Sequence, residues 1–198
     1  AGIGIDTGGQ HTNMVYKWIR KMKERTKVSS VRVFGLKGYA NKPDIPLLYK
    51  STNVDITADD GKGGKKVIGH TVINIIGVDA GKESITNWLS IKETGEGYCH
   101  FPLDEGRGYG HEYYKGLLSE KQIEKKVKDV IKKKWVKKSG VRNEPLDLFN
   151  YNYAVCELLR PSWDNLERKV NSGINYMKKT ASTNSGRNIR KCQKGMEF

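Results

Sequence analysis

Apolar and polar positions repeat with two different periods along the chain, which predicts strands alternating with helices. Ile3 and Ile5 lie on a short apolar run that stops at Asp6-Thr7-Gly8-Gly9. Thr12 or Asn13 then begins a segment whose apolar residues recur at helical spacing. These residues are Val15, Trp18, Ile19 and Met22. We therefore predict a strand, a glycine-containing turn and an amphipathic helix, in this order.

Two further apolar runs predict strands, VRVFGLKG at 31–38 and TVINIIGVD at 71–79. The second run is the strongest strand signal in the chain; it breaks at Gly77 and is followed by a predicted helix over 82–89. The intervening residues 40–66 are rich in Pro, Asp, Gly and Lys. This composition predicts a loop with an exposed turn near its end.

In the second half of the chain, GYCHFP at 97–102 predicts a short strand or an extended segment, and the lysine-rich stretch 119–134 predicts a basic amphipathic helix. A further helix is predicted from Asn143 and a short one after Pro161. The order of elements favours an α/β layer with a mainly parallel sheet. We expect one domain over 1–160, a C-terminal helix over 161–179 and a basic flexible tail over 180–198.

Charge indicates what kind of partner the protein binds. The 36 Lys and Arg residues exceed the 22 Asp and Glu residues, and the formal net charge is +14. Residues 178–198 contain six basic residues and one acidic residue, so this tail supplies only about five of these charges. A surplus of this size favours a polyanion, either nucleic acid or an anionic membrane surface. Because most of the surplus lies in the body of the chain, nucleic acid is favoured.

The cysteines Cys99, Cys156 and Cys192 are few, odd in number and widely spaced. This pattern predicts a reduced protein without disulfides or structural zinc. No apolar run approaches the roughly 18 residues that a membrane span requires, and the first residues lack the basic start of a signal peptide. We therefore expect a protein of the cytoplasm that is not secreted.

Asp6, at the end of a strand and before two glycines, is compatible with two chemistries. In actin-like ATPases, a strand of this form begins a hairpin whose backbone N–H groups contact phosphates. Such enzymes also need a second phosphate hairpin and an adenosine motif further along, and we find neither in the sequence. In ribonuclease-H-like nucleases, carboxylates at strand ends and on a late helix hold two divalent metal ions that hydrolyse a phosphodiester.

The segment RNEPLDLFNYNYAV at 142–155 supplies a helix of the kind that such a nuclease needs. Asn143 is a good N-cap, and Pro145 is tolerated in the first turn. Glu144 and Asp147 are three residues apart, so both project from one face at the positive end of the helix. The same spacing also fits a second explanation, in which the two acids only complement the helix dipole.

Seven stretches occur in a specific order and spacing, although each is weak alone. They are IDTGGQHTNMVY at 5–16, LKG at 36–38, GVDAGKESI at 77–85, HFP at 100–102, LLSE at 117–120, RNEPLDLFNYNYAV at 142–155 and SWDNLERKVNSGINYM at 162–177. Over most of residues 2–177, the chain thereby resembles the nuclease domain of the large terminase subunit of lambda-type tailed phages, the GpA family.

The resemblance implies a ribonuclease-H-like fold and a metal-dependent endonuclease that cuts concatemeric viral DNA for packaging, with Mg²⁺ or Mn²⁺ at a two-metal site. It implies that Asp6, Glu144 and Asp147 are catalytic residues and metal ligands, with Asp79 as a weaker candidate ligand. The implied partners are double-stranded DNA, the terminase small subunit and the portal, and the implied location is the cytoplasm of a bacterial host.

Six basic residues are candidates for contact with DNA: Lys37, Lys82, Lys125, Lys132, Lys133 and Arg142. Lys82 lies within a stretch that resembles the family near its site, and it would meet a phosphate as a point charge. The others include part of the lysine-rich stretch 119–138, for which the alternative explanation is a solvated surface.

One departure from the family affects the expected activity. In the family, the first catalytic aspartate lies on an earlier strand, whereas only five residues precede Asp6 here. We therefore expect the C-terminal part of a nuclease domain whose first strands are missing, with weak or no cleavage by this chain alone. The unpaired edge of the first strand predicts marginal stability or self-association. The alternative function is a catalytically inactive, basic DNA-binding or packaging module.

Overall fold

The computed structural model describes residues 1–27, 29–103, 105–127 and 130–184. The chain divides into two units, Ala1–Leu159 and Arg160–Phe198. The described elements of the first unit are β1 (Gly2–Asp6), α1 (Thr12–Arg25), β2 (Arg32–Tyr39), β3 (Leu48–Asp59), β4 (Lys65–Gly77), α2 (Val78–Leu89), a 3-10 turn (Glu105–Arg107), α3 (His111–Leu117), β5 (Glu120–Val127), β6 (Val130–Lys137) and α4 (Glu144–Leu159). The second unit contains α5 (Trp163–Asn184).

The main sheet has four strands in the order β1-β2-β4-β3. The pairs β1–β2 and β2–β4 are parallel, and β3 is antiparallel to β4. Among the described residues β1 pairs only with β2, so it forms one edge of the sheet. Asp6 lies opposite Leu36 at the carboxyl end of β1, and Tyr39 lies opposite Gly77 at the next pair of strand ends. The prediction of an α/β fold is confirmed, and two of the three described strand pairs in the main sheet are parallel, but the longest pair, β3–β4, is antiparallel.

Helices cover both faces of this sheet. Adjacent strand residues point to opposite faces, and on β2 the side chain of Leu36 packs with Val155 of α4. At the neighbouring Gly35, an added Cβ would lie 2.9 Å from Ile19 of α1. Asp6 faces the same side as Leu36, because residues directly opposite each other share a face. The end of β1 therefore presents its carboxylate toward α4.

A second set of contacts fixes the beginning of α4. Ile85 of α2, Leu117 at the end of α3 and Leu146 of α4 form one buried cluster. Inside α4, the buried Asn150 donates a hydrogen bond to the carbonyl oxygen of Val78 at the start of α2, at 3.1 Å. These contacts hold the first turns of α4 against α2, which decides where the acidic residues of α4 point.

The prediction of a loop over 40–66 is wrong where β3 runs from Leu48 to Asp59 and where β4 begins at Lys65. Asp, Asn, Lys and Thr are frequent in this strand, but Val54 and Ile56 alternate with polar residues. Ile56 forms a buried cluster with Tyr16 and Ile73, and Val54 packs against it. The alternation of Val54 and Ile56 with polar residues is enough for a strand here, because β4 pairs with β3 in antiparallel orientation along nearly the whole length of β3. The expected turn is present between the two strands, where Asp60 accepts hydrogen bonds from the backbone N–H groups of Lys62 and Gly64.

The predicted helix over 119–134 is also wrong, because this stretch forms the antiparallel hairpin β5–β6. Its apolar residues Ile123 and Ile131 fit helical spacing, but both are exposed, so there is no apolar surface for a helix to cover. β-branched residues favour extended backbone, and cross-strand pairing satisfies the backbone groups of both segments. Residues 128 and 129 lie outside the described part of the chain.

Smaller differences between the predictions and the structure concern where the helices and strands begin and end. Gly77 is the N-cap of α2, which begins at Val78 rather than at residue 82. Residues 97–102 form no strand and are extended or irregular. α5 continues to Asn184, past the expected start of the tail at residue 180, and 185–198 lie outside the described residues. No helix in the described ranges is long and apolar enough to cross a membrane.

Candidate active site

The end of β1 is held rigidly, which fixes the position of Asp6. The next residue, Thr7, is buried, and both its backbone N–H and its hydroxyl donate to the carbonyl oxygen of Leu36, at 2.8 and 2.9 Å. The backbone N–H of Gly8 donates to Oδ1 of Asp6 at 2.9 Å. This local turn holds the Asp6 carboxylate at the surface, at the end of the strand.

Two glycines on β1 allow α4 to lie close to this strand. A Cβ added at Gly4 would lie 2.6 Å from Cγ2 of Val155, and one added at Gly2 would lie 2.8 Å from Cγ1 of the same residue. Contacts this short require the helix or the strand to move. The absence of side chains at these positions therefore brings α4 against the strand that carries Asp6.

The N-terminal turn of α4 positions Asp147. The backbone N–H of Asp147 donates to the carbonyl oxygen of Asn143 at 3.1 Å, and Nδ2 of Asn143 donates to Oδ2 of Asp147 at 2.8 Å. Tyr151 lies one turn further along the same face, since residues four apart on a helix are neighbours. α4 thus carries an amide, a carboxylate and a phenol in one row.

Asp6 and Asp147, with the predicted Glu144, line one open cleft between β1 and α4. The cleft has a volume of about 290 Å³. Its lining residues are Gly4, Asp6, Glu144, Asp147, Leu148, Tyr151, Asn152 and Val155. The structure therefore places three carboxylates in one cleft, although Asp6 is more than 130 residues away from the other two in the sequence.

Tyr151 connects the two sides of this cleft. Its hydroxyl donates to Oδ1 of Asp6 at 3.2 Å. Burial raises the pKa of the Tyr151 phenol well above its ordinary value, and the negative charges of Asp6 and Asp147 raise it further. The phenol is therefore a neutral hydrogen-bond donor that holds one oxygen of Asp6.

Asp147 is also part of a buried ionic network with Lys82 and Glu120. The Lys82 ammonium lies 2.8 Å from Oε1 of Glu120 and 3.3 Å from Oδ1 of Asp147. The Lys82 and Glu120 side chains are each 7% exposed, whereas that of Asp147 is 42% exposed. Nδ2 of Asn143 donates to Glu120 as well, at 2.8 Å. Lys82 thus sits between two carboxylates, and only Asp147 reaches the open cleft.

The environment of Asp147 has opposing effects on its ionisation. Burial raises its pKa, and the Lys82 ammonium partly offsets this increase by its charge and its hydrogen bond. The nearby carboxylates of Glu120 and Glu144 add smaller increases. The net effect is to raise the pKa of Asp147, so keeping this carboxylate ionised costs free energy in the folded protein. Raised pKa values of this kind are common among functional carboxylates.

Glu144 differs from the other two carboxylates because its partner is a surface arginine. Both of its oxygens accept hydrogen bonds from the Arg142 guanidinium, each at 3.2 Å. This contact lowers the pKa of Glu144 and raises that of Arg142. Both groups are exposed to solvent, so the pair contributes little to stability.

Asp79 and Lys37 are among the predicted residues that do not line this cleft. Asp79 is buried in the first turn of α2, where its carboxylate accepts hydrogen bonds from the backbone N–H groups of Asn41 and Lys42, at 3.3 and 2.6 Å. These bonds give Asp79 a structural role in the loop after β2. Lys37 is exposed on β2, but it follows Leu36 directly and so points to the opposite face of the sheet from Asp6.

The remaining basic candidates lie in two environments. Lys82 is enclosed in its ion pairs and does not present its ammonium to solvent. Lys125, Lys133 and Arg142 are exposed. The side chain of Lys132 lies outside the described residues, although its backbone pairs with that of Lys125 in the hairpin.

The donor chemistry of the cleft fits a hard divalent cation. Mg²⁺ prefers oxygen ligands, and it is commonly bound by one or two carboxylates, with waters and substrate phosphates completing its shell. Asp6 and Asp147 supply such oxygens at the surface of an open cleft. Among the described residues, no three Asp, Glu, His or Cys side chains approach closely enough to form a metal-binding group by themselves. Waters and phosphate oxygens would therefore provide the other ligands.

Sequence reasoning missed two residues of this site, Glu120 and Tyr151. Glu120 ends the LLSE stretch, but its pairing with Lys82 joins segments 38 residues apart, which no local pattern indicates. Tyr151 could have been identified, because it lies four residues after Asp147 on a predicted helix and therefore on the same face.

Comparison with known proteins adds one finding. The family model of the terminase large subunit gpA endonuclease domain matches residues 1–168. A search of curated proteins and a search of solved structures gave no match. The family match spans both β1, with Asp6, and α4, with Glu144, Asp147 and Tyr151. The protein therefore belongs to the family of terminase large subunit gpA endonuclease domains, which cut DNA during phage packaging.

Proposed function

We propose that this domain is a metal-dependent endonuclease that cuts concatemeric phage DNA, with Asp6 and Asp147 as its principal metal ligands. The observation that supports the proposal is that both carboxylates, more than 130 residues apart in the sequence, line one open cleft together with Glu144. The proposal includes a ribonuclease-H-like arrangement, in which a strand end and a late helix supply the acids.

In this proposal, Asp6 and Asp147 hold Mg²⁺ or Mn²⁺ at the mouth of the cleft, and Glu144 is a third acid beside them. When bound, such ions supply a water nucleophile and neutralise the charge that develops on the leaving oxygen. Tyr151 orients Asp6 by donating a hydrogen bond to its Oδ1 atom, and we propose that the other oxygen of Asp6 binds the metal ion.

Lys82 and Asn143 orient Asp147 in the same way as Tyr151 orients Asp6. Each contacts a different oxygen of this carboxylate, so both its position and its rotation are fixed. Because Lys82 is enclosed by Glu120 and Asp147, we propose that it is a positioning residue rather than a phosphate contact. Binding to the terminase small subunit and the portal, and self-association through the β1 edge, are further proposals that rest on the family and on the exposed strand.

A second candidate function is a DNA-binding or packaging module without catalytic activity. It is favoured by one observation, that the described residues contain no group of three ligands close enough to bind a metal ion by themselves. The two candidates predict different responses to Mn²⁺, which the following experiment measures.

The experiment compares the unmodified chain with Asp6→Asn and with Asp44→Asn, a matched loss of one exposed carboxylate outside the cleft. Mn²⁺ binding is measured by calorimetric titration and cleavage by incubation with duplex DNA. We expect Asp6→Asn to lose Mn²⁺ binding and to reduce cleavage at least about 100-fold, since even changes around metal ligands cost 10–100-fold. Asp44→Asn should retain both properties. Unchanged Mn²⁺ binding in Asp6→Asn would contradict the role of Asp6, and no cleavage by the unmodified chain in Mn²⁺ would favour the module.

A further inference from the structure

The register of the β5–β6 hairpin divides its residues into two faces of different charge. Residues directly opposite each other in an antiparallel pair share a face. One face, here called the paired face, contains Glu120 opposite Lys137, Gln122 opposite Trp135, Glu124 opposite Lys133 and Lys126 opposite Ile131. The other, here called the lysine face, contains Lys121 opposite Val136, Ile123 opposite Lys134 and Lys125 opposite Lys132.

The paired face is turned toward α2. Glu120 contacts Lys82 at 2.8 Å, and Lys133 lies 3.9 Å from Glu83, the next residue of α2. The indole nitrogen of Trp135, which lies between them on this face, is also buried. Three residues of this face thus point toward the body of the domain, and the lysine face points away from it.

The lysine face has no acidic residue, and Lys121, Lys125 and Lys134 are exposed on it. Like charges directly opposite each other destabilise a strand pair, and the register sets Lys125 opposite Lys132. On the paired face, by contrast, both glutamates stand opposite lysines. A positive surface of this kind is stabilised when a polyanion supplies the missing negative charge.

We propose that the lysine face of the β5–β6 hairpin binds the phosphates of duplex DNA through Lys121, Lys125 and Lys134, as a surface separate from the carboxylate cleft. Lys121 and Lys125 are four residues apart on an extended strand, a distance of roughly 13 Å at about 3.3 Å per residue. This distance is close to the roughly 12 Å width of the major groove, which admits a two-stranded ribbon. A strand lying across the groove would place the two lysines beside phosphates on its two sides. The inference rests on the proposed function for its substrate, duplex DNA.

The test measures binding without cleavage, on the full chain in EDTA with a fluorescent 30-base-pair duplex and a series of salt concentrations. One variant carries Lys121→Gln, Lys125→Gln and Lys134→Gln. The matched control carries Lys126→Gln, Lys133→Gln and Lys137→Gln, which removes the same charge from the paired face. Circular dichroism verifies that both variants fold, and Lys125→Gln alone replaces the triple variant if it does not.

We expect the lysine-face variant to lose about 0.9 in the slope of log affinity against log salt for each contact, or about 2.7 in total. The paired-face variant should lose less than about 0.9. Equal losses in both variants would overturn the proposal, because they would show that only the total charge matters. Equal or tighter binding of single-stranded DNA or polyglutamate would overturn the assignment to duplex DNA.

The result is independent of the catalytic proposal. Asp44→Asn, which changes an exposed carboxylate outside both the cleft and the hairpin, should bind the duplex as tightly as the unmodified chain. If Mn²⁺ produces no cleavage but the two lysine variants still differ, the proposed catalytic function fails and the DNA surface remains. If Mn²⁺ produces cleavage but the two lysine variants do not differ in DNA binding, the lysine-face proposal fails and the proposed catalytic function remains.

Discussion

The carboxylate cleft and the β5–β6 hairpin use charge in opposite ways. Beside the cleft, the network of Asp147, Lys82 and Glu120 joins three separate elements, and the Lys82 and Glu120 side chains are almost completely buried. On the lysine face of the hairpin, Lys121, Lys125 and Lys134 come from one short stretch and are exposed. The comparison indicates that chemistry requires charges held by tertiary contacts, whereas binding a polyanion requires only their density on a surface. Stability and DNA affinity should therefore respond to different residues.

The largest expected effect on stability is that of Lys82→Met. Removing the ammonium leaves the buried carboxylate of Glu120 without its ionic partner, which typically costs about 3–5 kcal/mol in the free energy of unfolding. Urea denaturation measures this cost. The double variant Lys82→Met, Glu120→Gln removes both charges and should recover a large part of it. A loss below about 1 kcal/mol in the single variant would mean that the network resembles a surface ion pair, and the contrast with the hairpin would fail.

Gly4→Ala should have the next largest effect. The new methyl group would lie 2.6 Å from Val155 of α4, and overpacking of this kind costs about 1–3 kcal/mol. The matched control is Gly9→Ala, where an added Cβ meets no atom within 4 Å. Adding Val155→Ala to Gly4→Ala should restore part of the loss. Equal stability of the two single variants would show that α4 moves freely over β1.

Asp147→Asn should change stability by less than about 1 kcal/mol and remove cleavage. Burial raises the pKa of Asp147, so folding disfavours its charged form. The contribution of this group to stability is therefore present below its unfolded pKa and decreases as the pH rises through its folded pKa. The variant should gain stability relative to the unmodified chain between pH 3 and pH 7, as measured by thermal unfolding. A relative loss over this range would mean that the pKa of Asp147 is lowered.

The smallest effects on stability belong to the hairpin. Lys125→Gln and Lys133→Gln should each change the free energy of unfolding by no more than about 0.5 kcal/mol, because both are surface positions. Their effects on DNA binding should differ, with a loss of about 0.9 in the salt slope for Lys125→Gln and little change for Lys133→Gln. A large destabilisation by Lys133→Gln would show that its contact with Glu83 holds the hairpin in place.

The sequence correctly predicted those elements in which the apolar pattern and the local residue preferences indicate the same structure. α1 has an apolar face, α4 has acidic residues in its first turn, and β2 and β4 are apolar enough to be recognised alone. The hairpin was misassigned because lysine and glutamate favour helices and because Ile123 and Ile131 fit a helical period. The information that decides its structure lies in pairing between strands, which a one-dimensional pattern does not contain.

The site was predictable to the extent that its residues occupy ends of elements. Asp6 follows an apolar strand, and Asp147 lies in the first turn of a helix, so both could be selected from the sequence. Glu120 could not, because its significance comes from a contact with Lys82 in a different helix. The burial of Lys82 was equally invisible, and for this reason the sequence suggested a phosphate contact where the structure has an enclosed ion pair.

Glu120 belongs to both regions, since it begins the hairpin and also binds the ammonium that holds Asp147. A displacement of β5 by bound DNA would change the contacts of Lys82 and, through them, the orientation of Asp147. Thermodynamic linkage then requires reciprocity: the factor by which DNA changes the affinity for the metal ion equals the factor by which the metal ion changes the affinity for DNA. Where this coupling is positive, the domain reaches its full affinity for either ligand only when both are present, and cutting is limited to DNA that is already engaged.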